Sequence, residues 1–123
     1  MNWLTREHVR SVMSPQAAVY CSMIHWNQIL EAGPREFMMG HVDWGADYCA
    51  MCQMYQNSVC PLNKDCCRSA RICCPEYYDA MHAIRCDLDT SNNIGEPQDE
   101  WYDHTSILIK CLIERLRHVL STL

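Results

Sequence analysis

Glycine is scarce, at four of 123 residues, and no glycine-rich loop able to cradle a phosphate can be drawn from them. Basic residues are also short: ten Lys and Arg face fifteen Asp and Glu, a formal charge of −5. A surface that neutralises nucleic-acid phosphates needs clustered Lys and Arg, and no such cluster dominates any segment. No apolar run approaches the ~20 residues needed to cross a bilayer. HExxH and GxSxG are both missing, and nothing in the sequence orients a base toward a Cys or Ser nucleophile. These absences point away from an enzyme, a membrane protein and a phosphate-tracking nucleic-acid binder. The opening Met1-Asn2-Trp3-Leu4-Thr5-Arg6-Glu7-His8 reaches charge and histidine too early for a signal-peptide core, so the expected location is the cytoplasm.

Cysteine is what the chain has in excess. Ten residues, roughly 8%, is a density that marks disulfide scaffolds in secreted proteins. Seven of them fall at 49, 52, 60, 66, 67, 73 and 74, while Cys21, Cys86 and Cys111 stand alone in helix-like segments. In a reducing compartment such a cluster favours metal binding over disulfides, with zinc ahead of an iron–sulfur cluster. Cys49-Ala50-Met51-Cys52 is the strongest local motif, because two thiolates at this spacing grip one tetrahedral ion. A thioredoxin-like redox pair would instead need a preceding strand and a βαβ context, which this sequence lacks. Cys49, Cys52, Cys60 and Cys74 are the expected Zn2+ ligands. Cys74 is the preferred fourth because it precedes Pro75 at a helix start, where a thiolate is favoured. Cys73, Cys66, Cys67 and His41 are alternatives, and the number of ligands leaves room for a second zinc.

The pattern along the chain predicts one all-α domain with an irregular, zinc-stabilised cysteine-rich insert. Residues 1–33 read as helical: Thr5 caps a short helix to about Met13, and Ser14-Pro15 opens a second that Gly33-Pro34 ends. In that helix Tyr20, Met23, Ile24 and Leu30, flanked by Val19 and Trp26, form the expected apolar face. The cysteine-rich metal-binding segment covers 41–80, with a helix expected from about Tyr48 to Gln56 and loop over 57–73. A helix opening at Cys74-Pro75-Glu76 is expected to end near Asp87 or Leu88. Residues 89–100 read as an acidic, turn-rich linker. The last helix covers 103–122, where Leu108, Leu112, Leu116, Val119 and Leu123, widened by Ile109, Ile113 and Leu120, make a stripe too broad for a two-stranded seam. It reads as a core helix, with a homodimer through the same helix as the alternative.

Cys49-Ala50-Met51-Cys52-Gln53-Met54-Tyr55, Cys60-Pro61-Leu62 and Cys73-Cys74-Pro75-Glu76-Tyr77-Tyr78 together resemble a group of small uncharacterised phage and prokaryotic proteins. Those carry a CALCxxY-like element, then CxxCP, then a cysteine four or five residues before a tyrosine. Asn57 stands where CxxCP would place its first cysteine, so a later cysteine must complete the site. The resemblance covers about residues 41–80 and implies a phage-type zinc-binding protein, acting in the host cytoplasm, without naming an activity.

The reading that follows is a non-enzymatic zinc-binding interaction protein with a protein partner. The acidic stretch 87–103 is its expected partner-facing element, suited to inhibiting a host nucleic-acid-binding defence enzyme. Three alternatives stay open: a zinc-knuckle nucleic-acid binder using Lys64, Arg68 and Arg71, a thiol-redox or metal-handling protein, and a secreted disulfide-rich effector. His82 and Cys86 lie four apart on one helical face, a metal-capable spacing that a packed cysteine beside a partly exposed histidine explains more simply. His25 reads as structural, and His8, His104 and His118 have no companions in sequence.

Overall fold

The computed structural model describes residues 2–40 and 75–123, and among the described residues there are four helices and no strand. The all-α expectation holds. α1 (Arg6–Ser11) starts where the Thr5 hydroxyl accepts from the His8 N–H, and α2 (Pro15–Met39) where Ser14 Oγ accepts from the Ala17 N–H. The strand-free N-terminus is tied to α2 by Gln28, whose side chain accepts from the Leu4 N–H and donates to the Asn2 carbonyl.

Gly33-Pro34 produces a kink rather than an end. Gly33 leaves the helix at φ 71°, ψ 179°, and the chain resumes helical geometry from Pro34 to Met39. Proline suits the first position of the new turn because its missing N–H leaves nothing unpaired there. Part of the expected connector is therefore helix.

α3 (Pro75–Ile94) is helical from the first residue described after the cysteine-rich segment and continues past the expected end at Leu88 to Ile94. The predicted linker over 89–100 is thus shortened to 95–102. Polar residues stay helical because the bundle uses them: Ser91 is buried, and the Thr90 hydroxyl donates to the Cys86 carbonyl. Gly95, at φ 81°, ends the helix, its N–H reaching the Ser91 and Asn92 carbonyls. α4 (Asp103–Thr122) spans the expected residues. A carboxylate oxygen of buried Asp87 accepts from the Tyr102 N–H, placing negative charge at the start of α4, where the helix dipole favours it.

Tyr77, at the start of α3, meets Trp26 edge-on at 5.8 Å, whereas the segment after α3 reaches the end of α2 through Arg35 N–H and the Gln98 carbonyl. α3 therefore runs in the same direction as α2, and α4 doubles back against both. Ile109, Leu112, Ile113, Leu116 and Val119 of α4 are buried between them. Two neighbouring helices of one chain account for the width of the stripe. On α2 the expected apolar face is corrected. Val19 and Trp26 are buried and Met23 and Leu30 pack against the core as expected, but Tyr20 and Ile24 are exposed, at 56% and 46%, and the face also takes in Ala18, Ser22, His25, Ile29 and Ala32. Three of these are small, which lets the helices approach closely.

The linker locks onto the α2 kink from both sides. Trp101 is buried, packs edge-on against Phe37 at 5.8 Å, and donates from Nε1 to the Ile29 carbonyl at 2.7 Å. That carbonyl belongs to the last turn before Gly33, where the helical ladder is interrupted. On the other side Arg35 N–H, in the first turn after the kink, donates to the Gln98 carbonyl, and the Arg35 side chain reaches Asp99 and the Pro97 carbonyl. Trp101→Phe keeps the ring contact but removes the bond to the buried Ile29 carbonyl, so we expect a loss of about 0.5–1.5 kcal/mol in a urea or thermal unfolding measurement.

Candidate functional site

Cys49, Cys52, Cys60 and Cys74 lie outside the described residues, as do Cys66, Cys67, Cys73, His41 and the helix expected near Tyr48–Gln56. The described residues do fix how that segment is attached. Its leading end follows Met39 and Gly40, just beyond the clamped kink, and its trailing end enters Pro75, near the Trp26–Tyr77 contact. Because α2 and α3 run in the same direction, the two attachment points lie toward opposite ends of the helical core.

Within the described residues the densest group of chemically capable side chains lies elsewhere, in a groove between α3 and α4. Asp79, His82, Ala83, Cys86 and Asp87 form one wall and His104, Thr105 and Leu108 the other, around a cavity of about 510 Å³. The i, i+4 spacing stacks His82 and Cys86 on one face, with His82 Nε2 3.8 Å from Cys86 Sγ. Tyr78, one turn earlier, lies parallel to the His82 ring, 5° from coplanar and 6.3 Å between centroids. Cys86 is exposed, which corrects the expectation of a packed cysteine. No group of three or more His, Cys, Asp or Glu side chains is already gathered as a metal site among the described residues.

The remaining sequence candidates fall into place around this. His25 is buried, 2% exposed, and edge-on to Trp26, as a structural histidine should be. Cys21 is buried in the core, whereas Cys111 is an exposed thiol on α4, in a shallow trough with Lys110 and His118. Asp87 serves the fold and Asp99 is ion-paired with Arg35, so the acidic stretch 87–103 is not one solvated loop. Asp89, Glu96, Glu100 and Asp103 remain exposed. Sequence reasoning found the His82–Cys86 spacing but missed His104, which joins them only because α4 folds back along α3.

No protein-family model, curated protein or solved structure matches the chain.

Proposed function

We propose that the chain is a non-enzymatic, zinc-binding interaction protein in which a helical core displays a cysteine-rich segment to a protein partner. The topology carries this reading. Seven of the ten cysteines are concentrated in one connection between two helices that run the same way, each fixed to the core by its own contacts. A long connection this rich in cysteine is suited to a cross-link that holds one conformation, and a metal supplies it where thiols stay reduced. Cys49, Cys52, Cys60 and Cys74 would close a four-thiolate tetrahedral site, which leaves no position for substrate and therefore serves structure rather than catalysis.

The partner is a protein with a basic surface, of the kind a phage inhibitor would find on a host nucleic-acid-binding enzyme. Exposed Asp89, Glu96, Glu100 and Asp103, together with the net charge of −5, support it, since complementary charge speeds association.

Native mass spectrometry of protein prepared without added metal or reductant, followed by thiol counting after denaturation, tests the metal half. We expect at least one zinc per chain and ten reduced thiols, one for each cysteine. Metal-free protein with mass deficits matching several disulfides would replace this reading with a secreted disulfide scaffold. The partner half is tested by competition: the chain should displace nucleic acid from a basic host nuclease, more weakly as salt rises.

A further inference from the structure

We propose that the α3/α4 groove is a second, open metal site, in which His82 and Cys86 chelate a zinc-type divalent ion and His104 completes the protein ligand set. It is independent of the cysteine-rich segment and uses none of its residues.

The geometry of the pair is the first argument. Zinc holds imidazole nitrogen at about 2.0–2.1 Å and thiolate sulfur at about 2.3 Å, so two such ligands at a tetrahedral angle stand about 3.6 Å apart. His82 Nε2 and Cys86 Sγ stand 3.8 Å apart, within hydrogen-bond reach for sulfur, on consecutive turns of a regular helix. Little rearrangement separates this pair from a chelate. The Tyr78 ring lying parallel to His82 restricts the imidazole further.

The groove supplies the rest. His104 stands on the facing wall in the first turn of α4 and is exposed, so its side chain is free to change rotamer toward an ion held by the pair. Asp79, one turn before His82 on the same wall, and Asp87 below make the groove acidic, which favours a cation. Asp87 is held by the Tyr102 N–H and acts through its charge. Imidazole and thiolate donors select zinc or copper over magnesium and calcium, which require oxygen. Two histidines and one cysteine leave the fourth tetrahedral position to water, unlike the closed four-cysteine arrangement.

The test uses the full chain and zinc alone. In the wild type, zinc added beyond that retained by the cysteine-rich segment should shift the ring resonances of His82 and His104 together, and native mass spectrometry should show one further ion. The double variant His82→Ala/Cys86→Ser, changed only at exposed positions, should lose one ion per chain while keeping its helix content. His104→Ala should weaken the site by at least about tenfold, the size of effect seen even for groups that only orient a ligand. Cys49→Ser/Cys52→Ser should leave the His82 and His104 response intact, which separates failure of this site from failure of the cysteine-rich one. Unmoved histidine resonances in the wild type, or unchanged stoichiometry in the His82/Cys86 double variant, would overturn the proposal.

Discussion

Gly33→Ala should be among the most damaging single substitutions in the helical core, costing about 3 kcal/mol of stability: ~1–2 for the left-handed backbone and ~1–3 for the clash. Gly33 sits at φ 71°, and a Cβ there would lie 2.1 Å from the Asp99 carbonyl oxygen and 2.8 Å from its carbon. Both are backbone atoms, held by the Arg35 bond to Gln98 and the buried Trp101, so they have little freedom to retreat. Gly95→Ala is the comparison at a second positive-φ glycine. It has the same handedness, φ 81°, but open space around a new Cβ, so its cost should stay near the ~1 kcal/mol of the backbone alone. Urea midpoints of the two variants, measured side by side, check this. The Gly33 loss should be the larger through both its extended ψ and the Asp99 contact, and equal losses would mean that the linker does not clamp the kink.

Removing metal from the full chain should have the other large effect. Structural zinc contributes apparent free energies on the order of 10–16 kcal/mol to the small domains it organises, so a segment closed by Cys49, Cys52, Cys60 and Cys74 would depend on it heavily. The described core is different. Val9, Val19, Ile29, Ile84, Ile109, Leu112 and Leu116 are essentially fully buried in one apolar cluster. A strong chelator should therefore leave most of the helical circular-dichroism signal in place while sharply increasing proteolysis between Gly40 and Pro75. Restored zinc should restore protection, with a zinc-dependent Tm. Cleavage at the same rate with and without chelator would remove the metal from the account of that segment. Collapse of the helix signal would show that the core depends on that segment.

Much of the architecture is legible in the sequence because its signals act over one or two turns. Thr5 and Ser14 cap their helices with hydroxyls, and the α4 stripe has the width of a helix facing two neighbours. Two local readings fail for physical reasons. The polar run Asp89-Thr90-Ser91-Asn92-Asn93 has weak helix propensity, yet burial of Ser91 and the Gly95 cap keep it helical. On α2, periodicity favours Tyr20 and Ile24, but the buried face is rotated away from them and includes Ser22 and His25 beside Val19, Trp26 and Ile29.

The candidate sites divide along the same line. By itself the sequence determined the all-α class, the positions of the helix starts, the concentration of cysteine between 49 and 74, and the His82–Cys86 spacing, since each is a matter of near neighbours along the chain. Tertiary structure alone decided that α2 and α3 run the same way and that Gly33 is a seat for the Asp99 backbone. It alone set His104 across a groove from His82 and Cys86. Those relations depend on which helix faces buried the most apolar surface together, a choice made among residues far apart in sequence.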